Sequence, residues 1–445
     1  MSLLQQPRAL PNPAPQPRIA TRLLLHHISK LRNYVACKQV AAAFLLDEIV
    51  LVGRRKATDD NERLTDMPGA PRIRHFKYFR EALLGLQLIS PPPVDTLQPT
   101  PVREAEPPCD SFTKEHLLVG IEIQDGAVPA QSLAEVIHAR FPRCRSVTLL
   151  PGNEGSGMLP MERDCCDLFV FVPQHSRVGG SDKEQDCGGA GSLNVASAVT
   201  VVVDQLVSRL RGDEPLRYAV PWPLSMETVM PFDEAVEGGR QAHYLIRIAT
   251  SLGSARLSVV SERRIVAGTR MKKHSMYRGA MSAEAHVAFD SFLTLPQALA
   301  SARAACSGDE SKPREKTIVI GVASAMTALH HPAMDRILAT SGPVRVVIVL
   351  GVVHEADAAQ CDVLMPSVTA ESMPLACMLS AVLFRFCVAF GLVSGAAHGH
   401  VGIDGKFGVQ TKREMQLAAR DAIRAIRARA RLAPTFDAGR DEIGC

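Results

Sequence analysis

The chain has 445 residues with 46% hydrophobic side chains, enough for two or three domains with sizeable cores. Its net charge of +4 excludes a uniformly basic surface, so a nucleic-acid partner would have to meet locally concentrated charge. Aromatic content of 5% with one Trp argues against binding dominated by base stacking, and the 11 Cys include no CxxC pair, which fits free thiols in a reducing compartment.

Residues 1–22 carry Arg8, Arg18 and Arg22 but no acid, and five Pro lie between Pro7 and Pro17. This composition predicts a disordered segment or an organellar presequence, with a mitochondrial address expected and cytoplasm or nucleus as alternatives. From Leu23 to Leu46 the apolar spacing predicts helix, followed by a short buried strand at Ile49–Val52. Residues 54–75 read as a charged loop and Tyr78–Leu86 as a helix. The Pro-rich stretch 91–116 reads as an exposed insertion. Strands are predicted at Leu117–Ile123, Ser146–Leu150 and Leu168–Val172. Helices are predicted at Ser132–Arg140 and Ser192–Leu210. Strands alternating with helices predict an α/β fold with a mostly parallel sheet, whose ligand would lie beyond the carboxyl ends of the strands.

Two Gly-rich loops occupy those ends. Gly152-Asn153-Glu154-Gly155-Ser156-Gly157 follows Leu150, and three glycines allow positive φ and close backbone approach to a flat polar ligand. Glu154 could orient an ammonium or a ribose. Val172-Pro173-Gln174 ends the next strand, and Ser192-Leu193-Asn194 opens the long helix, where free N–H groups attract anions. Taken singly, each has an ordinary reading as a turn or an N-cap. His26-His27 and His330-His331 show no partner at metal-ligand spacing and read as ordinary helix or loop residues. No metal site is expected. The uncharged stretch Phe386–Ile403 contains four Gly and two His and reads as buried helix and loop, not a membrane span.

In order and spacing, Asn33 with the helix after it, GNEGSG, VPQ and SLNVASA resemble the three motifs of the SpoU/TrmH-like (SPOUT) family of RNA 2′-O-ribose methyltransferases. The resemblance covers about residues 23–212. It implies a trefoil-knotted parallel sheet flanked by helices. It also implies S-adenosylmethionine held through Leu150, Gly152, Asn153, Gly155, Gly157, Val172, Pro173 and Leu193, and dimers with active sites near the interface. Asn33, Glu154, Ser192 and Asn194 then stand at catalytic positions. Two departures follow: the position of the family's Arg is Gln39, and an insertion fills 175–190. Gln supplies neither charge nor proton transfer, and losing such a group costs about 10²–10⁴ in rate.

Residues 240–395 repeat the layout in fainter form. Gln241–Val260 parallels Asn33–Val52, with Arg247 opposite Gln39. Thr317–Ala325, Val344–Gly351, Cys361–Ser367 and Ser372–Met378 parallel the later strands and the SLNV helix. Residues 213–239 read as linker, and 396–445 as a basic tail in which Lys406–Arg431 forms a helix able to lie on phosphates. A pseudo-dimer within the chain, with Arg247 replacing the missing Arg, is one expectation. A heterodimer with another SPOUT protein is the other. The expected role is an RNA-binding, catalytically degenerate factor that meets ribosomal RNA and assembly intermediates of an organellar large ribosomal subunit. The alternative is an active S-adenosylmethionine-dependent rRNA or tRNA 2′-O-methyltransferase.

Overall fold

The structure, a computed structural model, describes residues 18–28, 30–53, 70–90, 113–153, 157–174, 193–212, 224–231, 245–246, 248–249, 251–261, 288–304, 316–323, 342–352, 355–366, 373–390 and 392. The chain divides into residues 1–395 and 396–445; the second unit, with the expected basic tail, lies outside the described residues. So do residues 91–112 of the 91–116 insertion, the 175–190 insertion and most of the N-terminal segment; residues 113–116 are described, and His116 opens a strand rather than closing the insertion.

The first sheet has seven parallel strands. They are β1 (Ala20–Leu25), β2 (Glu48–Val52), β3 (Arg72–Phe76), β4 (His116–Ile121), β5 (Val128–Pro129), β6 (Ser146–Pro151) and β7 (Leu168–Phe171). Their order across the sheet is β3-β2-β1-β6-β4-β7-β5. Helices α1 (Leu31–Ala43), α2 (Phe79–Gly85), α3 (Leu133–Arg140), α4 (Pro160–Arg163) and α5 (Val195–Leu210) connect and cover them. Alternation along each strand sends Leu23, Leu25, Ile49, Leu51, Leu117 and Val119 to one face, with α1, α3 and α5. Leu24, Val50, Leu118 and Leu150 go to the other, with α2.

Leu23–Leu25 is strand, not helix. Leu24 pairs with Val50 and Leu23 with Leu149, so this apolar run sits between two neighbours at the sheet centre. A short apolar run does not itself distinguish buried strand from buried helix, and the pairing decides it. Helix begins only at Leu31, after Lys30 in extended conformation. β3 falls inside the stretch read as loop. Its Arg72, Arg74 and His75 obscure the strand pattern, but Arg74 pairs with Glu48 of β2 at 3.3 Å. β1 also takes in Ala20–Arg22, which the sequence assigns to a disordered segment or presequence, and the short β5 and α4 have no counterpart in the sequence reading; α2, α3, α5, β2, β4, β6 and β7 lie within a few residues of where the sequence predicts them.

A second parallel sheet follows: β8 (Leu224–Pro231), β9 (Ser254–Val260), β10 (Ala288–Phe292), β11 (Lys316–Ala323), β12 (Val344–Val352) and β13 (Val363–Pro366). Its helices are α6 (Leu295–Ala304), α7 (Glu355–Ala358) and α8 (Leu375–Ala389). The order is β10-β9-β8-β12-β11-β13. In order of appearance along the chain this matches the first sheet without β5. The stretch read as linker therefore contains a central strand: β8 pairs with both β9 and β12. Its polar Ser225, Glu227 and Thr228 hide it. Glu227 is buried and paired with Arg345 at 3.1 Å, and Thr228 shares a hydrogen bond with Ser254 at 3.1 Å.

Local detail repeats too. The Leu118 N–H donates to Asp167 Oδ2 at 2.8 Å, and the Val319 N–H donates to Asp362 Oδ2 at 2.8 Å. Gly120 leaves room for Phe169, and Gly321 leaves room for Cys361 and Leu364. The Thr200 hydroxyl donates to the Ala196 carbonyl, and the Ser380 hydroxyl to the Ala376 carbonyl.

One large apolar core joins the inner faces of both sheets through α1, α5 and α8. Across it, Arg385 of α8 grips Asp204 of α5, with Nε 2.9 Å from Oδ2 and Nη2 2.5 Å from Oδ1. Arg385 Nη2 also donates to the Ser208 hydroxyl at 3.1 Å. Among the described residues no helix is long and apolar enough to cross a membrane.

Candidate functional site

The carboxyl ends of β1, β4, β6 and β7 meet at one edge of the first sheet, and the Gly-rich loop rises from β6. Asn153 and Gly157 pinch it closed: each N–H donates to the other's carbonyl, at 3.0 and 3.1 Å. Gly157 adopts φ +69°, a conformation that favours glycine. Glu122, just past β4, fills the space beside both loop ends. A Cβ on Gly152 would lie 2.5 Å from Glu122 Oε2, and one on Gly157 would lie 2.7 Å from it. The Met158 N–H donates to the same oxygen at 3.0 Å. The two glycines thus let a carboxylate lie against the loop backbone. Glu122 was not singled out from the sequence; its place directly after a buried strand and opposite the loop is the only local signal.

Asn153 also reaches across to β1, where its Nδ2 donates to the His27 carbonyl at 2.5 Å. The loop is therefore tied to two strands besides its own. Leu150 is fully buried on the α2 face, and Val172 is buried against the α5 face. Pro173 is half-buried, and Leu193 packs on the large core. Asn194 is the N-cap of α5: its Oδ1 accepts from the Ala196 N–H at 2.7 Å. At the matching place in α8 stands Pro374, which has no side chain able to accept such a bond. Glu154, Gly155, Ser192 and Arg247 lie outside the described residues.

On α1, Asn33 is buried in the first turn and Gln39 is exposed. The helix carries a buried cation that the motif did not single out. Lys38 is 1% exposed, with Nζ 5.7 Å from the centre of the Tyr34 ring.

His26 and His27, read as ordinary residues without partners, have one. Glu162 of α4 lies beside them, with Oε1 2.6 Å from His26 Nδ1. Partial burial and the neighbouring His26 lower the pKa of His27, and Glu162 opposes them. Among the described residues the thiols are free: Cys37, Cys144, Cys165, Cys166, Cys361, Cys377 and Cys387 form no disulfide. Burial pushes Cys144 and Cys377 up to about 11 and Cys387 to about 12.

The arrangement fits a nucleoside-type cofactor on three grounds. Backbone groups of two loops lie at the ends of β6 and β7, the two strands that flank β4. A carboxylate, Glu122, stands where a cationic group would be favoured. The Gln131 amide and the Ser197 hydroxyl are buried with no hydrogen-bond partner among the described residues. The turn Ala130–Ser132 that carries Gln131 packs on α5, the helix of Ser197. Buried polar groups in folded proteins are normally satisfied, so a ligand or water belongs there.

No family model matches the chain, and neither does the sequence of any curated protein. Among solved structures, the SpoU methyltransferase AviRb of Streptomyces viridochromogenes, in complex with AdoMet, matches at 18% identity over 45% of this chain and 60% of its own, with a TM-score of 0.29. An AdoMet-bound rRNA methyltransferase of Sinorhizobium meliloti matches at 18% identity over 43% of this chain and 56% of its own, with a TM-score of 0.28. A TrmH/SpoU tRNA modifying enzyme of A. aeolicus matches at 13% identity over 44% and 77%, with a TM-score of 0.28. The chain spans about three fifths of the length of the first of these.

Proposed function

We propose that this chain is an RNA-binding protein on a SpoU/TrmH-like methyltransferase scaffold. In this reading it acts on ribosomal RNA as a catalytically degenerate factor in assembly of the mitochondrial large ribosomal subunit. The observation that carries the proposal is Gln39, a neutral, exposed side chain on α1 at the position where the resemblance puts an Arg. A neutral amide stabilises no developing oxyanion by charge and takes no proton at neutral pH. The acid-free N-terminal segment supports the mitochondrial address.

S-adenosylmethionine, when bound, would supply a methyl group on a positively charged sulfonium. Leu150, Gly152, Asn153, Gly157, Val172, Pro173 and Leu193, with Gly155, would hold it through backbone groups. Glu122 favours its positive charge, and the Asn153 bridge to His27 keeps the loop at the sheet edge. Gln131 and Ser197 are the buried groups it would satisfy. Asn194 keeps the N-terminus of α5 formed, and Asn33, Glu154 and Ser192 stand at the positions that the resemblance makes catalytic.

The test is to titrate the full chain with S-adenosylmethionine and with large-subunit rRNA fragments, then to assay transfer of a radiolabelled methyl group. RNA binding without transfer is the expected result. Methyl incorporation at a ribose 2′-oxygen would replace this proposal with the active methyltransferase. Absence of RNA binding would remove both.

A second reading is favoured by the shared core. The two halves form a pseudo-dimer within the chain, by internal duplication, and Arg247 supplies the cation that Gln39 lacks. Its neighbours Ile246 and Ile248 belong to the same core as Tyr34 and Cys37 of α1. If Arg247→Ala leaves a measurable methyl transfer unchanged, this reading fails. Activity only on adding a second SPOUT protein would instead favour a heterodimer.

A further inference from the structure

The His26, His27 and Glu162 cluster is built in a way that the packing of the fold does not require. His26 and Glu162 are buried, at 9% and 2% side-chain exposure, while His27 is exposed. Glu162 is fixed from both sides: Oε1 meets His26 Nδ1 at 2.6 Å, and Oε2 accepts the Leu159 N–H at 2.6 Å. The His26 ring stacks on Phe79 with centroids 4.7 Å apart and planes 10° apart. A buried His–Glu pair resting on an aromatic ring would be explained as core. His27 would not.

In a strand, consecutive side chains point to opposite faces. Here the chain leaves β1 by a turn at His27 with φ +56°, uncommon for a residue other than glycine. That turn folds the second imidazole back beside the first, with ring centroids 3.8 Å apart. The Asn153 amide holds the turn by its bond to the His27 carbonyl at 2.5 Å. One ligand atom from each of the three side chains lies within 4.8 Å of the others.

We propose that His26, His27 and Glu162 form a site for a divalent transition-metal ion of the zinc class, with three protein ligands and one position open to solvent. Two imidazoles and one carboxylate are a ligand set suited to such an ion, and an exposed third ligand leaves the remaining position free. Calcium and magnesium prefer more oxygen ligands than the cluster offers. Binding requires neutral imidazoles and an ionised carboxylate, and the ion would take the place of the His26–Glu162 hydrogen bond. Through Asn153 the ion would also fix the mouth of the Gly-rich loop. The site depends on these side chains alone, so it stands or falls separately from the methyltransferase-like reading.

The test uses the full chain stripped by a chelator. Zn²⁺ is titrated by calorimetry, and Co²⁺ by absorption in a parallel sample. One ion per chain is expected at micromolar affinity or tighter, with no thiolate-to-cobalt charge-transfer band. His27→Asn keeps a residue that tolerates the left-handed turn and its carbonyl. It should weaken binding by about tenfold or more while leaving the metal-free melting temperature unchanged. Glu162→Gln should weaken binding similarly. Absence of binding overturns the site, as does equal affinity in His27→Asn. A thiolate band would assign the ion to cysteines and overturn it as well.

Discussion

Replacing Arg385 by Met is the sharpest probe of how the two sheets are held together. Asp204 is completely buried, and Arg385 is its bidentate partner. Removing one member of a buried pair leaves an uncompensated charge and costs about 3–5 kcal/mol. Two features put this case at the lower end. Gln205 still donates to Asp204 Oδ2 at 3.1 Å, and Arg385 keeps 27% side-chain exposure, so water reaches the pair. We expect about 3 kcal/mol for Arg385→Met by urea unfolding followed by circular dichroism. The double replacement Asp204→Leu with Arg385→Met removes both charges from an apolar surround and should return to within about 1 kcal/mol of the wild type. If Arg385→Met costs less than about 1 kcal/mol, the pair behaves like a surface ion pair and the reasoning is refuted. A double replacement no better than the single one would refute it equally.

Three further outcomes are expected. Gly157→Ala places a methyl 2.7 Å from Glu122 Oε2 at positive φ, so it should weaken S-adenosylmethionine binding in calorimetry and lower stability by about 1–3 kcal/mol. Glu122→Ala should relieve the crowding but not the backbone strain. Asn194→Ala removes the cap of α5 and should cost about 1 kcal/mol in urea unfolding, whereas Pro374→Ala in α8 removes no side-chain cap. Burial first, then Arg22 and Arg145, lower the pKa of His116 below its ordinary 6.5, with Glu115 opposing them. The unfolded chain therefore binds more protons in the window below 6.5, and stability falls as pH drops through it. His116→Gln should flatten that part of the stability–pH curve; an unchanged slope would contradict the assignment.

Much of the architecture is legible in the chain because glycine and apolar runs mark it directly. The β6 loop is an example: three glycines after a buried strand announce a close backbone approach. What they approach was not legible, because Glu122 comes from another strand. β8 is hidden in the sequence because Glu227 and Thr228 find their partners on neighbouring strands, which breaks the apolar pattern on which a strand reading depends. The sequence reads as helix from Leu23 because three leucines in a row fit either periodicity, whereas the structure makes them the end of β1. The pairs that decide the sites are remote in sequence. His26 and Glu162 are 136 residues apart, and Asp204 and Arg385 are 181 apart. No local spacing rule reaches that far. Where the two halves share a strand order, their site positions still differ, as Pro374 at the place of the Asn194 cap illustrates.

Two sheets with one strand order in a single polypeptide also escape a constraint that governs symmetric pairs. In a two-fold homodimer every substitution is made twice, and any contact between unlike residues off the axis recurs once more by the two-fold rotation. Asp204 faces Arg385, but the places matching them by alignment of α5 with α8 hold Phe384 and Gln205. The contact occurs once, and no swap of the halves reproduces it. Each side is thus free to differ without disabling its counterpart, as Asn194 and Pro374 do at the first turns of α5 and α8. Fixed one-to-one stoichiometry, independent of concentration, comes with the linkage.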